Sequence, residues 1–396
     1  MALNDFQEVA DNTYQEVFSK ILVAKSIANM RFEPKLKFGE SVERFIFDMS
    51  NVRVRTVSRG SASTIDTVTD STELLTINLE KEAAFHLSDG EVTQAGPLSP
   101  GEVIGGEVAK KVATDLDARV FAEVENAENT FDTGDLTTLV STDVPITQST
   151  TTVPQMVTRM PAKLKKNNQL LTNMAFVLDA YGVSDIEQYL LGKQFDIVNS
   201  VFKNGYAGAI SNAEVFVSEN LTGEAVLTAT GVFNNTQTVV INGVTFTSVT
   251  SIGTTAGNFL IGADAAASLT NLTALINNPG DTSATQVALS TADQILVTDT
   301  YKMTAVATAT TCTVTCVGGG RMTVSETETN VSWGTAWIKC YFGKKGAIDL
   351  VVQDMQSIDM RPTSDRRGTN IFSSYLAGLK TFADGAKKFL HVKIAV

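Results

Sequence analysis

The sequence predicts an α+β fold interrupted by a β-rich insert, and three observations carry that prediction. Segments that alternate polar and apolar residues mark strands on both sides of the chain's middle. One long run, Ile104, Val108, Val112, Leu116, Val120 and Val124, steps by four and marks an amphipathic helix. Residues 221–320 change composition abruptly, with 23 threonines and only six charged side chains. Without that block the flanks read as one continuous unit.

The bulk numbers narrow the class. A chain of 396 residues suits two or three compact units at roughly 150 residues each. Its 43% hydrophobic and 19% charged content is that of a folded protein rather than a disordered one. The net charge of -12, from 43 acidic and 31 basic residues, opposes the counterion release that drives nucleic-acid binding. Specific reading of DNA or RNA is therefore not expected. Cys312, Cys316 and Cys340 are an odd number, so they cannot all pair within the chain, and a reducing compartment is expected. Residues 1–18 carry acids and lack a basic and then apolar leader, and no run approaches the roughly 20 apolar residues of a membrane span.

From 5 to about 29, Phe6, Val9, Tyr14, Val17, Phe18, Ile21 and Ala28 recur mostly at three- and four-residue steps, which predicts a helix ended by Pro34. It has no local partner, so its apolar stripe must lie on the body or on another subunit. Two alternating segments follow, 52–58 and 74–87, joined by Gly, Ser, Thr and acidic residues. They predict a projecting two-stranded arm over 52–79. A lone hairpin is marginal in water, so such an arm implies a second molecule that covers it. Residues 96–103, with two prolines and two glycines, lead into the long helix, about 104–128 and roughly 37 Å long. Gly105 and Gly106 in its first turn weaken it, which close backbone approach would explain.

Beyond lie a helix at 153–168, a buried strand at 174–178, a helix at 184–191 and further strands to 221. Within the block, Asn242-Gly243 between two apolar runs predicts a tight hairpin over 238–249. A helix over 263–278 is capped by Asp264, with Leu269, Leu272 and Ile276 on one side. Segments 286–299 and 304–317 read as strands, as does most of the chain after Met322.

Catalytic apparatus is not evident. His86 and His391, the only histidines, sit in no metal-ligand spacing and are expected to be partly exposed strand residues. Cys312 and Cys316 lie four apart on a predicted strand, roughly 13 Å, which is too far to share a metal, so they are expected to face the core. Residues 105–111 lack the order of a phosphate loop. No cofactor and no enzymatic activity are expected.

The order of parts, together with GKKGAIDLVVQDMQSIDMRP (343–362) and LAGLKTFADGAKKFLHVKIAV (376–396), resembles the major capsid proteins of tailed bacteriophages, the Hong Kong phage type coat fold. The resemblance covers 1–220 and 332–396 and lies in the order of elements. It implies an N-terminal arm (1–34), an extended-loop (E-loop) region (35–98) and a peripheral domain with its spine helix (99–175). An axial domain with returning peripheral strands (176–220 and 332–396) would follow, with a β-rich surface domain inserted at 221–331. INGVTFT and LIGADAAASLTNLTALIN in the insert are similar to small modules of phage virion proteins.

Function follows as an expectation. Copies would assemble as hexamers and pentamers of an icosahedral shell around double-stranded DNA, a non-specific neighbour, in the cytoplasm of a host bacterium. Scaffolding, portal and decoration proteins would be further partners, and no membrane is involved. Arg53, Arg55, Arg59, Asp70 and Glu73 would make the arm's intersubunit contacts. Some relatives crosslink through a lysine on this loop, but residues 52–79 contain none, so a non-covalent shell is expected. The rivals are an encapsulin-type cargo compartment and a tail-tube or adhesin-type virion protein.

Overall fold

The computed structural model describes residues 10–18, 22–31, 41–48, 52–56, 59–60, 65–88, 100–149, 151–167, 169–191, 206–210, 213–362 and 367–396. Its architecture is α+β, as the sequence predicts. Among the described residues, no helix is long and apolar enough to cross a membrane.

A ten-stranded sheet organises the body. Strand Trp337–Lys344 is buried along seven of its eight residues, which its near-continuous apolar sequence requires of a strand covered on both faces. It pairs antiparallel with Phe389–Ala395, with Met174–Leu178 and with Thr222–Ala229. Met174–Leu178 continues in parallel to Ala213–Val217. Thr222–Ala229 extends the sheet the other way through Thr311–Cys316 to Met303–Ala307 at the edge. The helix Pro100–Ala122 runs on as a single 3-10 turn, Glu123–Asn126. It lies against a three-stranded sheet of Asp349–Pro362, Thr369–Lys380 and Leu79–Leu87, where the Tyr375 hydroxyl donates to Asp115. Val108, Val112, Leu116, Val120 and Val124 are buried, and Ile104 packs half-buried against the same core.

The N-terminal segment is not one helix. A helix spans 10–18 and a separate turn spans Ala24–Ile27; Phe6, Val9, Ile21 and Pro34 lie outside the described residues. Its stripe docks on the chain's own body, burying Ala10, Tyr14, Leu22, Ala24 and Ile27 in the main core. The long helix starts at Pro100 rather than about 104, so Gly105 lies in its second turn; a Cβ there would sit 2.3 Å from the Ala10 carbonyl oxygen, and the glycine lets two helices cross in contact.

Two hydrophobic cores are separate. The second draws only on residues 225–336, and the main core takes none from 222 to 337. The hairpin Thr238–Ile241 and Val244–Val249 forms as predicted, with Asn242 and Gly243 at φ 48° and 83°. These are the left-handed angles of the hairpin turn that Asn-Gly favours. Helix Ala265–Asn277 is capped by Asp264, whose carboxylate accepts from the Ala267 amide at 2.7 Å. One expectation fails: 286–299 is not a strand but holds helix Thr291–Ile295 and a π turn, Leu296–Thr300. Ser290 caps that helix, accepting from the Asp293 amide (3.2 Å) and donating to its carboxylate (2.7 Å). This reciprocal cap outweighs the β-propensity of Ile295 and Val297.

The edge strand Met303–Ala307 is plugged. The Asn277 side-chain amide donates to the Ala305 carbonyl (2.9 Å) and accepts from its N–H (2.8 Å), which occupies the groups an incoming strand would use. Replacing Asn277 with Ala should cost about 1–3 kcal/mol through the two unpaired backbone groups. It should also give concentration-dependent association, read by thermal denaturation and light scattering. Unchanged values in both would show that the plug is idle.

Candidate assembly site: the arm and its anchor

The arm is built one segment earlier than its sequence pattern suggests. Ser41–Asp48 pairs antiparallel with Thr69–Thr76, from Ser41 opposite Thr76 to Asp48 opposite Thr69. Residues 52–56 and 65–68 continue outward without ladder pairing. The clean alternation of 52–58 marks residues that point in two directions, whereas pairing depends on what stands opposite. Leu79–Leu87 is not part of the arm; it joins Thr369–Lys380 in the three-stranded sheet.

The base of the arm is bound to its own body. Leu75 and Ile77 are buried with Val351 and Phe382 in a small cluster of their own. Arg44 and Glu73 stand opposite each other, and both reach the turn that begins Ala383–Ala386. The Arg44 guanidinium pairs with Asp384 at 2.7 Å and lies 5.0 Å from the Phe382 ring centre. The Glu73 carboxylate accepts the Ala383 amide at 3.1 Å, a placement that suits an acid at a helix start. Burial works against the charge of Asp384, but Lys388 at 2.8 Å and Arg44 outweigh it and lower its pKa.

Outward from the base the character changes. Val54 and Ile65 are 105% and 88% exposed and Phe45 64%, with Val52, Val68 and Leu74 also exposed. Six large apolar side chains along the arm thus keep about half or more of their surface exposed, Phe45 and Leu74 beside the anchored base and the other four further out. Covering each would contribute up to about 1.5–3 kcal/mol, on the order of 10 kcal/mol for the set. No fold of two strands can supply that cover by itself.

The five arm residues singled out from sequence divide into three groups. The Arg53 amide and the Arg55 guanidinium both bond to Asp66, at 2.9 and 2.5 Å, and so brace the outer arm internally. Arg59 and Asp70 are exposed. Glu73 contacts its own body instead of facing outward, because its cross-strand partner Arg44 is already bound there. Arg44, Leu75 and Phe382 are the anchor residues that sequence reasoning missed. The one legible signal was the opposite charge of Arg44 and Glu73, which required the register to be known first.

Of the remaining candidates, all but His86 are buried. His391 is buried rather than partly exposed; burial, then Lys339 and Lys393, lower its pKa to about 3, so it stays neutral. His86 is part-buried, with Nδ1 2.9 Å from the Asn370 side-chain oxygen. Cys312, Cys316 and Cys340 are free and buried, and burial pushes the Cys316 thiol up to about 12. Lys339, 1% exposed, sits in mid-sheet with the Glu224 carboxylate at 2.5 Å and Glu125 at 3.0 Å. Lys393 stands directly opposite it and is paired with Asp143 at 2.5 Å. These pairs neutralise adjacent like charges, which unpaired would destabilise the sheet.

No family model matches the sequence, and no curated protein matches it. Among solved structures, the chain is similar in fold to one of Mycobacterium phage Che8, with 13% identity over 93% of this chain and 90% of that one and a TM-score of 0.45. It is also similar to the capsid of cyanophage P-SCSP1u, with 9% identity over 90% and 84% and a TM-score of 0.44. A virus-like particle from Pyrococcus furiosus gives 9% identity over 98% of both chains and a TM-score of 0.41. These are partial likenesses, and the functional reading rests on the arm and its anchor.

Proposed function

We propose that this chain is a major capsid protein whose copies assemble into an icosahedral shell enclosing the double-stranded DNA of a tailed phage. The carrying observation is the arm: a base fixed to its own subunit and an outer part whose apolar side chains are left uncovered. A neighbouring copy supplies the cover, and Arg59 and Asp70 add rim contacts worth about 0–1 kcal/mol each. Each subunit gives one arm and receives others, so many modest contacts act together. The role is structural and geometric, with no reaction step. Residues 221–331 are an inserted module whose core extends over 225–336; it is joined to the body through the pairing of Thr222–Ala229 with Trp337–Lys344, and the flanking residues form the capsid core.

The test is electron microscopy of the purified full chain, followed by boiling in denaturant and gel electrophoresis. Closed shells that dissolve to single chains are expected, because no lysine lies on the arm. Tubes or fibres would favour a tail or adhesin protein, and persistent monomers would overturn the reading. Closed shells carrying protein cargo and no nuclease-protected DNA would point instead to a cellular compartment.

A further inference from the structure

A cleft of about 660 Å³ opens where three parts of the chain meet: the long helix Pro100–Ala122, the strand Leu79–Leu87 and the insert's turn 295–302. That volume lies within the range of built ligand sites. Its walls carry Lys81, Lys110, Lys111, Arg119 and Lys302, a concentration of positive charge on a chain whose net charge is -12. Lys302 is the only basic residue in 221–320. Its backbone takes the left-handed region at φ 44°, which is uncommon for a residue other than glycine. There its ammonium meets Asp115 at 2.9 Å, so the block's one cation is set at the cleft.

The local acids do not cancel this charge. Asp115 is shared between Lys302 and the Tyr375 hydroxyl, with Arg119 further off at 3.9 Å. Glu107 is engaged by Lys110 at 2.7 Å. Lys81 stands opposite Tyr375 in the sheet, so both side chains point toward the helix, and Glu82 alternates to the other face. Lys81 and Lys111 are exposed and have no ion-pair partner among the described residues. Asp299, exposed on the insert's turn, is the carboxylate left to face them among the described lining residues. Ile295, 51% exposed, adds an apolar wall.

We propose that this cleft is a docking site for an acidic peptide segment of a partner protein. Carboxylates of the segment lie against Lys81, Lys111 and Arg119, pairings that guanidinium and ammonium groups favour, and an apolar side chain lies against Ile295. A long nucleic acid is also anionic, but the acidic remainder of the surface repels it, whereas a short segment meets only the cleft. A bound segment touches the insert and the body at once and stiffens their junction. The site is complete within one chain and does not depend on shell assembly.

Fluorescence anisotropy on the full chain tests it, with a fluorescein-labelled peptide of glutamates around one central leucine as the probe. Saturable binding is expected, weakening as salt rises because partly exposed charges are screened. The double variant Lys81→Gln, Lys111→Gln should bind about tenfold more weakly, at a few-fold for each partly exposed pair. Asp299→Asn should bind about threefold more tightly, a gain that poor folding cannot produce. A lysine peptide and a single-stranded oligonucleotide of the same length should each bind at least about tenfold more weakly than the glutamate probe. No saturable binding, affinities that the two variants leave unchanged, or tighter binding of the oligonucleotide would overturn the assignment.

Discussion

A chain in which residues 49–68 are replaced by Asn-Gly is expected to keep its body and build no shells. Asp48 and Thr69 are the last paired residues of the arm, and a two-residue Asn-Gly loop closes an antiparallel pair there. The change removes Val52, Val54, Ile65 and Val68 while leaving Arg44, Glu73, Leu75 and Ile77 on their anchor. Since the removed side chains touch no core in the subunit, the unfolding midpoint should stay within about 2 °C. What disappears is interface: four aliphatic side chains at about 1.5–3 kcal/mol each, on the order of 8 kcal/mol gross per subunit. Microscopy and sedimentation read the outcome. Closed particles at wild-type yield would show that the outer arm does not hold copies together.

The second large effect lies inside the subunit. Substituting Lys339 with Met should destabilise the protein by about 3–5 kcal/mol, because the Glu224 carboxylate is left buried without its partner. Adding Glu224→Gln should recover a large part of that loss, since the neutral amide does not need a counter-charge. Chemical denaturation of the disassembled subunit measures both. A loss under about 1 kcal/mol, or a double variant no better than the single, would show that water or Glu125 compensates for the missing ammonium. The pair also matters for architecture: Glu224 lies on the strand Thr222–Ala229, whose inner side chains belong to the second core, and Lys339 lies on Trp337–Lys344, the strand of the main core that it pairs with.

Most elements were legible where a local rule dominates. The four-residue steps from Ile104 to Val124 located the long helix, and Asn242-Gly243 located the hairpin. Asp264 located a helix start, and Gly105 announced a close crossing before its partner was known. Non-local choices were not legible. Residues 52–58 alternate more cleanly than 42–48, yet the second run pairs, because Arg44 meets Glu73 and both find the turn after Phe382. Segment 286–299 has strand composition, but the Ser290–Asp293 cap lies at its centre. Nothing in the sequence sets Lys339 apart; its carboxylates come from residues 125 and 224, far along the chain. Of the candidate site, the sequence showed that an arm exists and that it lacks lysine. It did not show which arm charges turn inward, since that depends on Asp66 lying within reach of Arg53 and Arg55.

The central claim is that the outer arm is completed by another copy of the chain. Electron cryo-microscopy of assembled particles, traced at side-chain detail, tests it most directly. The prediction is that side chains of a neighbouring subunit pack on Val54 and Ile65 while Leu75 and Phe382 stay together within their own subunit. An arm folded back over its own body, or one left bare in the lattice, would contradict it.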